Sequence, residues 1–227
     1  MQFETLQSPD FTMLKATLGP SESLVVESGA MVARDSTVQM KTAMKGGMLA
    51  AAKRKMLGGE SLFLNTFSGG RAGDTLYLAP APEGDLLHQQ MDGARTLYVQ
   101  NGCFMAATTG VTLDTKWGGA KGFFSGAGLF LLKCTGVGDL FLSAYGAVHE
   151  VTLSGAPYKV DTGHILAFDS SLQWNITKVG GLKGLLFSGE GLVCEFRGHG
   201  RVWIQTRNPS SLAAWIHPFR RVKAKSN

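Results

Sequence analysis

Residues 178–191 read K-V-G-G-L-K-G-L-L-F-S-G-E-G, and the same glycine–lysine pattern returns at residues 116–128 as K-W-G-G-A-K-G-F-F-S-G-A-G. A third version spans residues 45–61, where K-G-G is followed by a longer basic insert and closes on G-G-E-S. A motif met repeatedly at a regular interval is the mark of a repeat architecture.

Working outward from this motif, each copy opens on an expected strand that ends at a glycine: residues 11–18 before Gly19, 85–92 before Gly93, and 147–154 before Gly155. A short alternating stretch follows each time, S-L-V-V-E-S before Gly29, T-L-Y-V-Q-N before Gly102 and Y-K-V-D-T before Gly163. Alternation with period two, closed by a residue free to take positive φ, predicts strand and then tight turn. The copies continue as A-M-V-A-R-D, C-F-M-A-A-T and H-I-L-A-F-D, and Val38, Val111 and Leu172 open a further strand. Beyond each glycine–lysine loop an apolar strand is expected at 62–67, 129–134 and 192–196, then a glycine turn and a last strand at 74–79, 139–144 and 201–206.

Helical periodicity is almost absent. The expectation is helix only at 48–57 and at 210–216, with Ser210 as N-cap. The fold class read from this pattern is all-β, a single domain 1–227 of repeats at about 11–82, 83–145 and 146–207, with a helical and basic tail at 208–227. Exposed strand edges are a hazard that closure or neighbour pairing removes. The reading is therefore a closed pseudo-three-fold, sandwich- or barrel-like assembly in which each unit covers its neighbour's edge.

Composition narrows the class. Glycine, 30 of 227 residues, is about twice as frequent as its usual ~7%, as many turns require. No apolar run approaches the roughly 18 residues of a membrane-spanning helix. Residues 1–10 include Glu4 and Asp10 and hold no apolar signal core, so a cytoplasmic protein is expected. Cys103, Cys134 and Cys194 sit in apolar stretches without C-x-x-C spacing, which predicts buried reduced thiols.

The net charge of +5 is unevenly placed. Residues 41–57 carry Lys41, Lys45, Lys53, Arg54 and Lys55 and no acid. Residues 116–125 and 178–188 each carry two lysines and no acid, so these loops together hold nine positive charges. The tail adds Arg220, Arg221, Lys223 and Lys225, which leaves the remaining body near −8.

The repeated motif, above all G-A-M-V at the second glycine followed by the basic loop and G-G-E-S-L-F-L at residues 58–64, resembles the altered-inheritance-of-mitochondria family over about residues 11–219. The resemblance implies an all-β fold like that of the tryptophan RNA-binding attenuator protein, with internal three-fold pseudosymmetry. Mitochondrial relatives are linked to inner-membrane organisation, and the resemblance brings no catalytic residues with it. Without a transit-peptide-like extension, the chain is similar to the bacterial, cytoplasmic kind.

Catalytic constellations are hard to find. The histidines His88, His149, His164, His199 and His217 include no His-x-His pair of a cupin-like metal site. His88 and His149 occupy similar positions on opening strands and are expected to be half-buried with satisfied hydrogen bonds. No G-x-S-x-G nucleophile elbow and no Walker-type phosphate loop occurs. Glu60 and Glu190 fall at one repeat position, but copy two has Ala127, so turn hydrogen bonds are expected of them rather than catalysis. A non-enzymatic protein with no cofactor is the expectation.

What stands out is the pairing of lysines with apolar tips: Met48, Leu49, Met56 and Leu57; Trp117, Phe123 and Phe124; Leu182, Leu185 and Leu186. These tips either fold inward under a solvated lysine rim or stay exposed on a face that docks to an anionic surface. The residues assigned to that face are Lys45, Lys53, Arg54, Lys55, Trp117, Lys121, Lys178 and Lys183. Fitting partners are an anionic membrane surface or an acidic protein, and the sequence also admits self-association. The alternative function is RNA binding, suggested by fold analogy and the basic balance, although no basic strand interleaved with stacking aromatics is present.

Overall fold

The computed structural model describes residues 1–44, 63–114, 123–124, 129–178 and 192–220. The first group of strands is β1 (Gln2–Leu6), β2 (Met13–Leu18), β3 (Ser23–Glu27), β4 (Met31–Arg34), β5 (Gln39–Met44), β6 (Phe63–Ser68) and β7 (Asp74–Leu78). β7 lies between β2 and β4, and β6 lies between β3 and β5. The next group is β8 (Leu86–Asp92), β9 (Leu97–Gln100), β10 (Phe104–Thr108), β11 (Val111–Asp114), β12 (Phe123–Phe124) and β13 (Leu129–Ser143). The C-terminal half of β13 pairs with β8 and β10, and its N-terminal half with β9 and β11. The last group is β14 (Val148–Ser154), β15 (Tyr158–Asp161), β16 (Ile165–Asp169), β17 (Gln173–Lys178), β18 (Leu192–Arg197) and β19 (His199–Gln205). There β19 lies between β14 and β16, and β18 between β15 and β17. Every named pair is antiparallel.

Alternation in the sequence sets the faces. Met13–Leu18 buries Leu14, Ala16 and Leu18, and Asp74–Leu78 buries Leu76 and Leu78, as period-two strands with one covered face must. Trp203, Phe67, Phe104, Phe141, Phe168 and Phe196 are fully buried. Each large apolar side chain so placed contributes about 1.5–3 kcal/mol.

The groups are joined by two seams. β3 pairs with β10 through Val26 opposite Ala106, and β9 pairs with β16 through Val99 opposite Ala167. Among the described residues the sheets hold four, twelve and three strands, and none closes on itself. This corrects the expected closure within one chain: among the described residues β4 pairs only with β7 and β15 only with β18.

Three local readings also change. The expected glycine turn between residues 134 and 139 is a bend inside one long strand, with Gly136 at φ 103 and Gly138 at φ 142. β1 was not anticipated; it adds to β2 from Gln2 opposite Thr17 to Leu6 opposite Met13. The C-terminal helix α1 (Pro209–Ile216) is capped by Asn208 rather than Ser210, whose backbone N–H donates to Asn208 Oδ1 at 2.9 Å. The expected helix at 48–57 lies outside the described residues. No helix among the described residues is long and apolar enough to cross a membrane.

Candidate interaction surface

The lysine-rich stretches each connect two paired antiparallel strands. The flanking strands pair Met44 with Phe63, Asp114 with Lys133, and Lys178 with Leu192. Between the second pair, Phe123 lies opposite Phe130 and Phe124 opposite Leu129. Of the residues assigned to the basic face, Lys178 is the last residue of β17. Lys45, Lys53, Arg54, Lys55, Trp117, Lys121 and Lys183 lie outside the described residues, as do Glu60 and Glu190 and all the apolar tips except Phe123 and Phe124.

On the body, several cations are locally matched. Lys15 meets Glu4 at 3.1 Å, Arg71 meets Asp74 at 3.0 Å, and Glu195 receives both Arg197 at 2.6 Å and Lys159 at 3.4 Å. The more exposed pairs among them, Lys15–Glu4 and Arg197–Glu195, add little stability, typically under about 1 kcal/mol. Their effect is to cancel positive charge on the strands, which leaves the connecting stretches as the concentrated source.

Buried polar groups are built into turns. Asp74, fully buried, accepts from Thr37 Oγ1 at 2.6 Å, Gly70 N at 2.8 Å and Arg71 N at 3.1 Å. The Thr37 hydroxyl first, and the two backbone N–H groups with it, hold this carboxyl down at about 2 against the cost of burial. A cluster that sequence reasoning missed surrounds Trp203. Arg95 and Arg201 flank its ring with Cζ at 5.0 and 5.1 Å from the centroid, and its Nε1 donates to Glu150 at 2.7 Å. Asp169 accepts Arg95 Nε at 2.8 Å and Arg201 N at 2.8 Å. These residues are far apart in sequence and share no motif, so only pairing of β9, β14, β16 and β19 reveals them.

His88 Nε2 lies 2.8 Å from Asp139 Oδ1, and its ring stacks on Phe141 at 4.6 Å. Both His88 and His149 are exposed, not half-buried as expected. His164 Nδ1 lies 2.8 Å from the carbonyl oxygen of Gln205. No metal-binding group of three or more His, Cys, Asp or Glu occurs among the described residues. Cys103, Cys134 and Cys194 are free and buried, and desolvation pushes each thiol up to about 12.

A groove of about 460 Å³ runs between Pro82, Tyr145 and the helix residues Leu212 and Ile216. Beside it Trp215 and Phe219 stand largely exposed with ring centroids 5.8 Å apart. The described surface here offers apolar and aromatic contact, and the connecting stretches are basic in sequence.

Comparison with known proteins agrees with this architecture. An uncharacterised protein of Streptococcus pyogenes serotype M6 is 27% identical over 227 residues, covering 96% of this chain and 91% of the relative. The crystal structure of a Streptococcus pyogenes protein superposes with a TM-score of 0.79 at 26% identity, covering 96% of this chain and 99% of that one. The family described as Mitochondrial biogenesis AIM24 matches residues 3–207, and the chain belongs to that family.

Proposed function

We propose that this protein is a non-enzymatic scaffold that docks a basic, loop-built face onto an anionic surface, a membrane leaflet in the first instance. One observation carries the reading: seven positive charges fall in stretches that each connect an antiparallel strand pair, β5 to β6, β11 to β13 and β17 to β18, and Lys41 and Lys178 add two more on the flanking strands β5 and β17. The matched order of pairing in the three groups of strands supports reading the chain as three repeats, in the manner of the tryptophan RNA-binding attenuator protein fold. In such an arrangement the connections occupy equivalent positions and their charges add at one end of the body. Charges clustered within a Debye length act together and are sensitive to salt.

The test is a triple variant, Lys53→Gln with Arg54→Gln and Lys55→Gln, assayed on anionic and neutral vesicles. Retention on anionic vesicles should fall at least tenfold while folding is unchanged. Unchanged retention removes the proposal, and salt-dependent capture of mixed RNA with no vesicle binding transfers the face to nucleic acid.

A further inference from the structure

The two open strand edges are complementary to each other. β4 is the counterpart of β10 and β16: Ala33, Ala106 and Ala167 lie opposite Tyr77, Phe141 and Trp203, and in each pair the register shifts at the residue before that alanine. β15 is the counterpart of β3 and β9, since Val160, Val26 and Val99 each precede the residue that ends the strand. Inside the chain, β3 covers β10 and β9 covers β16. The β4 and β15 edges are the halves of such a seam with nothing described across from them.

Exposure records the difference. Phe104 and Met105 on β10, and Ile165 and Leu166 on β16, are 0% exposed, whereas Met31 and Val32 at the same positions of β4 are 42% and 56% exposed. An open apolar edge is a template for a further strand. We propose that the protein assembles head to tail, with the β4 edge of one copy pairing antiparallel with the β15 edge of the next. Carrying the internal seams across places Ala33 opposite Val160, Arg34 opposite Lys159, and Asp35 opposite Tyr158. The contact joins two different patches, so it repeats until a ring closes. It stands independently of what the basic loops bind.

The seam between copies differs from the internal ones at one position. Inside the chain, Val25 faces Ala107 and Tyr98 faces Phe168 with ring centroids 5.4 Å apart, but between copies Arg34 faces Lys159. Directly opposed like charges weaken a strand pair, and Glu195, 3.4 Å from Lys159, offsets this only in part. Association should therefore strengthen as salt rises, the opposite sign to vesicle docking.

Native mass spectrometry and light scattering of the full chain test the proposal. The expected result is a discrete oligomer at micromolar concentration that Val32→Glu converts to monomer without change in circular dichroism, while Val32→Leu keeps it. Because Val32 is exposed and its substitution leaves the core alone, loss of folding does not confound the result. Register is read from the double variant Arg34→Cys with Lys159→Cys, whose Cβ atoms the seam places about 4.5–5.5 Å apart. Mild oxidation should give disulfide-linked multimers on a non-reducing gel, against a low background because the native cysteines are buried. A monomer throughout, an oligomer indifferent to Val32→Glu, or a disulfide formed only within one chain overturns the proposal.

Discussion

Asp169 accepts the backbone N–H of Arg201 through Oδ2 at 2.8 Å, fixing the entry of β19 beside the end of β16. Asp35 does the same for Thr75 at 2.8 Å, and the Thr108 hydroxyl does it for Asp139 at 2.9 Å. A side chain at or just past the end of one strand thus receives a backbone N–H of its neighbour in each group. At Asp169 the clasp also crosses a seam, because the second carboxylate oxygen takes Arg95 Nε at 2.8 Å.

Asp169→Ala removes two hydrogen bonds to a carboxylate and leaves Arg95 without its partner across the seam. Bonds of this type are each worth about 1.5–3 kcal/mol. The denaturation midpoint in urea should fall by an amount equivalent to about 2–4 kcal/mol, and Asp169→Asn should recover part of it. A loss below about 0.5 kcal/mol would show the clasp to be incidental.

Acid should act through Asp74. Its folded-state carboxyl sits at about 2, below the ordinary value of 3.8 that it regains on unfolding. The folded form therefore binds its proton less readily than the unfolded form, so the stabilisation is complete above about pH 4 and is lost as pH falls toward 2. Asp74→Asn should be less stable than the parent at neutral pH, with the gap narrowing below pH 4. Urea titrations at pH 7, 4 and 2.5 measure it.

The thiols should be silent. Cys103, Cys134 and Cys194 are buried with their thiols pushed up to about 12, so a disulfide reagent at pH 8 should label none of them in the folded protein. In denaturant all of them should react within minutes. Rapid labelling of the native protein would contradict the packing around them.

Gly136→Ala tests the bend in β13. The residue sits at φ 103, and an added Cβ would meet the Gly110 carbonyl oxygen at 2.2 Å. Positive φ alone costs about 1–3 kcal/mol for a residue with a Cβ, and the backbone contact adds to it. Thermal unfolding should show a drop of several degrees, whereas Gly102→Ala, where nothing lies within 4 Å and φ is ordinary, should change little.

The strands were legible because their period is two and glycines punctuate them: Val38, Val111 and Leu172 sit next to β5, at the start of β11 and next to β17. The bend at Gly136 and Gly138 was not, since a glycine pair reads equally as a chain reversal until β11 and β8 are seen to pair with one continuous strand on either side of Gly136. The open edge was hidden for a similar reason. A-M-V-A-R-D looks as apolar as H-I-L-A-F-D, and only long-range pairing separates the uncovered Val32 from the covered Leu166. The Asn208 cap was missed because Pro209 takes the first helical position, which puts the cap two residues before Ser210. Of the basic face, the charge and the strand pairs that flank it are on record, while most of its residues lie outside those described.

Co-sedimentation of the full-length protein with vesicles of neutral and of anionic lipid, at low and at physiological salt, tests the docking proposal most directly. Binding to anionic vesicles alone, weakening as salt rises, is the predicted result. Equal binding to both lipids, or none to either at low salt, would contradict it.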